Sequence, residues 1–331
     1  MGTGLNAVLR SQDGGHTWTS APVELNSVGF ISAFAILRDG TFVVAGTVGT
    51  MDMRVARSTD QGKTWTMGDI DVDRSPHTQM SGWNSDMLEL ADGTILLTVE
   101  LRSDRDVLYK GQSGQLPIQL RGFSPYVLRS RDGGRTWGDK SIIAMYAGET
   151  HLLAMPSGKL MACIRKQRHH RLPGDPADPM TMKLEMGFQP QFPSEEQNNP
   201  HDEGTNRSKN MFVTESYDQG YTWVNERRVS GFLQCSGDLT LTRDGVLLLA
   251  FDHRYADDIA GDGVRVMASY DLGKTWEIVT YIIGQGTDKF DTAKGYPSSI
   301  ATEDGGLITV CANHVGGDVA RLEAVHWAAR P

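Results

Sequence analysis

Glu149 and Arg165 stand at the two ends of one stretch, GETHLLAMPSGKLMACIR from Gly148. A carboxylate beside a guanidinium can move a proton, hold an anion, or simply form an ion pair. Thr150 to Met155 is half apolar, Lys159 to Ile164 is mostly apolar, and Pro156-Ser157-Gly158 between them reads as a turn. The spacing predicts a hairpin in which Glu149 opens the first strand and Arg165 closes the second, at the same edge of a small sheet.

The elements that position these residues are announced by five octets: SQDGGHTW from Ser11, STDQGKTW from Ser58, SRDGGRTW from Ser130, SYDQGYTW from Ser216 and SYDLGKTW from Ser269. All read Ser-x-Asp-x-Gly-x-Thr-Trp. In a β-turn the Asp accepts backbone N–H groups, the Gly supplies positive φ, and the Trp folds under as an apolar plug. Recurrence at such intervals fits an array of four-stranded sheets rather than a helical solenoid. The pattern resembles the Asp-box, or BNR, repeat of the sialidase (neuraminidase) superfamily, and the resemblance covers nearly the whole chain.

Between octets, apolar strands flank Asp39-Gly40, Asp92-Gly93, Ser157-Gly158, Asp244-Gly245 and Asp304-Gly305. Each blade therefore reads strand, tight turn, strand, variable connection, strand, octet, strand. RLEAVHWA is the third strand of the last blade, and the first residues supply a third and fourth strand around Asn6 to Leu25. The expectation is an all-β, six-bladed propeller forming one domain over 1–331, one blade being closed by the two termini. Because strands alternate in direction, the start of strand one and the end of strand two share a face, and both turn types share the other. The octet aspartates Asp13, Asp60, Asp132, Asp218 and Asp271 are then scaffold.

The chemical face collects Trp83, Asn84, Asp86, Glu100, Arg102 and Arg105 from one blade, and Glu149, His151 and Arg165 from the next. Further on it collects Gln234, Asp238, Asp252, His253 and Arg254, then Tyr296, Asn313 and His314. The resemblance implies roles for four of them. Tyr296, in KGYPSSI, matches the nucleophile, Glu149 its base, and Arg165 and Arg254 the arginines that clamp a substrate carboxylate. An uncharged phenol suits a substrate whose anomeric carbon carries a carboxylate, which would repel an attacking carboxylate. The family's third arginine and its Asp acid have no motif match. By position alone Arg102 or Arg105 could serve as anchor, and Asp52, Asp86 or Glu100 as acid. Gln234 and Asp238 join as substrate-binding candidates.

Plainer readings stand beside these. Tyr296 precedes Pro297 and could be a core aromatic. Arg254 could pair with Asp252 or Asp257, and His169-His170 sits in a charged run. Two insertions, from Lys166 to Asn210 and from Ser103 to Gly122, leave the chemical face and could wall a pocket.

The function expected from this set is removal of a terminal acidic sugar by a retaining exo-glycosidase. A uronate lyase using Tyr296 with one of His151, His169, His253 or His314 is an alternative, as is a glycan-binding propeller without catalysis. Composition excludes other classes. The 331 residues carry 32 basic and 41 acidic side chains, a net −9, with a basic run only near Arg165 to Arg171, so nucleic acid is not an expected partner. No stretch has the apolar length of a membrane span, and MGTGLNAVLRS lacks the core of a secretion leader. A soluble product is expected, its compartment open. Cys163, Cys235 and Cys311 lie in or beside apolar runs without metal-type spacing. No phosphate loop, zinc motif or EF-hand loop is present, so no cofactor and no metal are expected.

Overall fold

The five Gly turns close five hairpins with one geometry in a computed structural model of the chain. In each, the residue two before the Asp or Ser donates its backbone N–H to the carbonyl of the residue two after it and accepts the N–H of the turn glycine. Leu37 N–H donates to Thr41 O and Met155 N–H to Lys159 O, both at 2.8 Å. The glycines take φ from +81° to +86°. Only glycine adopts that conformation at no steric cost, which fixes the loop length and hence the register of both strands.

The structure describes residues 7–22, 25–49, 52–75, 79–82, 85–102, 124–145, 147–167, 209–231, 234–253, 263–277, 281–285, 295–314 and 320–329. Strands β1 (Ala7–Arg10) and β2 (Thr19–Pro22) form a two-stranded ribbon. The first full sheet runs β3 (Phe30–Ile36), β4 (Phe42–Val48), β5 (Asp52–Ser58) and β6 (Thr66–Asp69) in order. In the second, β7 (Gln79–Ser81) and β8 (Met87–Glu89) both pair with β9 (Ile95–Arg102), followed by β10 (Ser124–Ser130) and β11 (Gly138–Ile142). The third comprises β12 (Gly148–Ala154), β13 (Leu160–Gln167), β14 (Lys209–Ser216) and β15 (Val224–Arg228). The fourth comprises β16 (Gln234–Leu241), β17 (Leu247–His253), β18 (Gly263–Ser269) and β19 (Tyr281–Gln285). The fifth has three strands, β20 (Gly295–Ala301), β21 (Leu307–His314) and β22 (Ala320–Trp327).

These are the antiparallel blades of a β-propeller, so the expected class holds. The count is corrected: the described residues form five blades, not six. The octet at Ser11 turns Arg10 directly back onto Thr19, so β1 gives its ladder to β2 alone. Among the described residues no ladder joins this ribbon to another sheet, and β22 pairs only with β21.

The octets have the anticipated chemistry, repeated five times. Each Ser hydroxyl accepts from the Gly N–H at 2.7–2.8 Å, and each Thr hydroxyl donates to the Asp Oδ2 at 2.6 Å. The indoles of Trp18, Trp65 and Trp223 donate back to the turn glycine at 2.9–3.1 Å. These donors favour the charged carboxylate. In Asp271 the Thr275 hydroxyl and then its backbone N–H hold the pKa down at about 2.

The chain divides into two compact units. One holds Met1–Gln112, Arg121–Leu160 and Ser216–Trp223; the other holds Ser113–Leu120, Met161–Glu215 and Val224–Pro331. In the first unit Val43, Ala45, Met53 and Val55 of one sheet pack on Ile95, Leu97 and Val99 of the next. In the second, Leu248, Ala250, Val266 and Ala268 pack on Leu307. All three cysteines are buried and none forms a disulfide; burial, with Glu323 adding, pushes the Cys311 thiol up to about 11. No helix among the described residues is long and apolar enough to cross a membrane.

Candidate active site

Counting from each hairpin turn exposes a register that runs through all the sheets. The residue eight before the turn's Asp or Ser is Ile31, Asn84, Glu149, Ser236 or Tyr296. The residue eight after it is Thr47, Glu100, Arg165, Asp252 or Ala312. Glu149, Ser236 and Tyr296 all take positive φ, at +47°, +55° and +47°. At Ser236 and Tyr296 the ladder skips, between Cys235 and Asp238 and between Gly295 and Ser298, so these residues are β-bulges. A non-glycine residue in this region costs about 1–3 kcal/mol and persists only where its surroundings hold it there.

What holds Glu149 and Tyr296 comes from the second strand of the preceding sheet. Glu100 Oε1 accepts the Glu149 N–H at 2.9 Å, and Asp252 Oδ1 accepts the Tyr296 N–H at 3.3 Å. Thr47 Oγ1, at the same offset in the first sheet, accepts the Gly82 N–H at 2.9 Å. A hydrogen bond to a buried charged group contributes about 1.5–3 kcal/mol, comparable to the strain it opposes. Asp252 is 1% exposed, and its second oxygen also accepts from the Ser236 hydroxyl at 3.2 Å and the Cys235 thiol at 3.6 Å.

A second pair of carboxylates repeats this device further into the strands. Asp86 Oδ2 accepts the Leu152 N–H at 2.7 Å, and Asp238 Oδ2 accepts the Ser299 N–H at 2.8 Å. His151 Nε2 lies 3.5 Å from Asp86 Oδ2. Asp86 Oδ1 meanwhile accepts its neighbour's Met87 N–H at 2.7 Å, so both oxygens are engaged by backbone.

The residues singled out by sequence are placed as follows. Tyr296 is 41% exposed at the start of β20, whereas Glu149 is 7% exposed at the start of β12. Arg165 is half-buried near the end of β13. Gln234 Nε2 lies 3.1 Å from His253 Nδ1, and its Oε1 accepts the Gly231 N–H at 2.7 Å. Asp52 is exposed at the start of β5 and pairs with Arg74 at 2.6 Å. Arg102 ends β9 with its side chain outside what is described, and Arg254, Arg105, Trp83, Asn84, His169 and His170 lie outside the described residues altogether. Most of both insertions does too.

Within the first unit the fold brings Asp86, His151, Glu100 and Glu149 together around β8, β9 and β12; within the second it gathers Ser236, Asp252 and Tyr296. Sequence reasoning passes over Ser236, and it places Asp252 on the chemical face and as a possible partner for Arg254 without giving it a role toward Tyr296. Their constant offset from the hairpin glycines was the signal that could have found them. Among the described residues no group of three or more His, Cys, Asp or Glu side chains is arranged to hold a metal ion.

The model of the BNR/Asp-box repeat matches residues 56–67, the end of β5 and the second octet. A comparison with curated proteins gives no match. Among solved structures the chain is similar to a protein of unknown function from Dyadobacter fermentans DSM 18053, at 18% identity and TM-score 0.65, over 98% of this chain and 84% of that one. It is similar to the Hadza microbial sialidase Hz136 at 16% identity and TM-score 0.54, over 89% of this chain but only 55% of the sialidase. It also resembles the GH93 alpha-L-arabinofuranosidase of Fusarium graminearum at 13% identity and TM-score 0.53, over 89% and 92% of the two chains. The likeness is one of fold, and with the matched repeat it agrees with an Asp-box β-propeller.

Proposed function

We propose that the chain is a retaining exo-glycosidase that removes a terminal acidic sugar, sialic acid or a relative, from a glycan. In this reading Glu149 takes the phenolic proton of Tyr296 as the Tyr296 oxygen bonds to the anomeric carbon. The bond to the leaving oxygen breaks, and that oxygen takes a proton from an acid, for which Asp52 and Asp86 are the candidates. Water, losing a proton to the now deprotonated acid, then attacks the same carbon; Tyr296 leaves and recovers its proton from Glu149, and the configuration is retained. Arg165, Arg254 and Arg102 neutralise the sugar's carboxylate, with Gln234 and Asp238 as further substrate contacts.

The observation that carries this reading is the shared backbone of Tyr296 and Glu149. The two residues assigned as nucleophile and base occupy the same register position on the same strained φ of +47°. Strain of this kind collects at active sites, where it aims a side chain. Turnover of an aryl sialoside is the test. Tyr296→Phe and Glu149→Gln should each lower kcat/KM by about 10²-fold or more, and undiminished hydrolysis in Tyr296→Phe would sink the reading.

One observation favours a second reading. Asp86 and Glu100 both meet the backbone of β12, at Leu152 and Glu149, in one unit, and a pair of carboxylates suffices for a neutral sugar. The likeness to an arabinofuranosidase fits that reading. Cleavage of an aryl arabinofuranoside that survives Tyr296→Phe would select it, and an unsaturated, ultraviolet-absorbing product would indicate a lyase instead.

A further inference from the structure

We infer that Asp252 and Glu100 are positioning residues, which aim Tyr296 and Glu149 by accepting, from the neighbouring sheet, the N–H of each of these positive-φ residues. The inference rests on the assignment of those two residues to the reaction, and it deepens that assignment by saying what keeps them in place.

Three features of the second unit converge on Asp252. Its Oδ1 receives the Tyr296 N–H, and its Oδ2 receives the hydroxyl of Ser236, itself on positive φ. Gly295, at φ +123°, lets the carboxylate come this close: a Cβ there would stand 2.5 Å from Asp252 Cγ. One buried carboxylate thus ties together the bulges that open β16 and β20. Glu100 repeats the arrangement in the first unit, at the same offset from its own hairpin turn, and receives the Glu149 N–H.

The exception is informative. In the third sheet this offset holds Arg165, and a guanidinium has no acceptor to offer a neighbouring strand. Ser236, the bulge of the fourth sheet, is instead met through its hydroxyl by Asp252 of its own sheet. Arg165 and Ala312 are the two residues at this offset without a side-chain acceptor, and of these Arg165 is the one assigned to substrate.

If the acceptor is lost, the bulge loses what opposes its strain. A shift of one residue in a strand turns each side chain to the other face, so a relaxed Tyr296 points its phenol away from its present direction. Asp252→Ala and Gly295→Ala, the latter displacing the carboxylate, should both lower kcat on an aryl sialoside by roughly 10- to 100-fold. KM should stay within about threefold, since no substrate contact is removed. Asp252→Asn keeps an oxygen facing the Tyr296 N–H and should recover most of the lost kcat.

Crystal structures of the variants supply a readout independent of turnover: φ at Tyr296 should leave the positive region in Asp252→Ala and Gly295→Ala and remain there in Asp252→Asn. Retention of φ near +47° in both of the first two variants would overturn the inference. So would an unchanged kcat per folded molecule alongside a lowered Tm, which marks a purely structural role, or an Asp252→Asn as damaged as Asp252→Ala. If the wild-type protein cleaves no sialoside, the proposed function fails separately, and φ in the variants still decides whether Asp252 holds the bulge. Should Asp252→Ala not fold, Gly295→Ala carries the same reading.

Discussion

Within each octet the aspartate is charged because the turn is built to keep it so. For Asp271 the Thr275 hydroxyl and backbone N–H bring the folded pKa to about 2, from an ordinary value of 3.8. A folded pKa below the unfolded one contributes stability that is present above pH 3.8 and lost as pH falls through about 2. Asp271→Asn should therefore melt below the wild type at pH 7, and the difference should close at pH 2. A gap that persists at pH 2 would show that shape, not charge, is what the octet needs. This chemistry was legible in the sequence, because every partner lies within four residues of the aspartate. The strain at Tyr296 and Glu149 was not, since the acceptors that permit it sit 44 and 49 residues away.

At the scale of elements, an arginine just before an octet reaches the octet of the following blade. Arg57 donates to Gly133 O, and Arg129 donates to Gln219 O at 3.0 Å while its guanidinium lies 3.8 Å from the Tyr221 ring centre. The third blade has Glu215 in that place, and Arg227 serves from the adjacent strand, bonding both Glu215 Oε1 at 3.1 Å and Gly273 O. Arg129 is buried and also donates to Asp139 O and Ser141 Oγ. Replacing it with Met strands these acceptors and should cost about 1–3 kcal/mol in chemical denaturation; a neutral result would reduce the arginine to packing. Sheet contacts impose another limit at Gly237, where a Cβ would come 2.4 Å from Cys163 Sγ and 2.6 Å from Met211 Sδ. Gly237→Ala should destabilise by about 1–3 kcal/mol through overpacking. Adding Cys163→Ala should return part of that loss, and strict additivity of the two changes would refute the contact. Neither the arginine lattice nor this contact could be read along the chain, because each joins strands from different sheets.

For the molecule as a whole, protection should follow the ladders. β17 is buried at every position and paired on both sides, whereas among the described residues β1 and β2 ladder only with each other. Amide exchange should be slowest in β17 and fastest in the β1–β2 ribbon, and equal protection would show that the ribbon is held by something besides its own ladder. The sequence by itself determined the octets, the hairpins, the all-β class and the order of strands within a blade. Those features are set by contacts between near neighbours and by glycine's access to positive φ, and both recur in the residue pattern. Tertiary structure alone decided that the described residues form five blades rather than six, that Asp86 is engaged by backbone on both oxygens, and that Asp252 and Glu100 grip the residues assigned to the chemistry. These are outcomes of hydrogen bonds between sheets, where partners are distant in sequence and each carboxylate has several donors it could have met. Only packing selects among them.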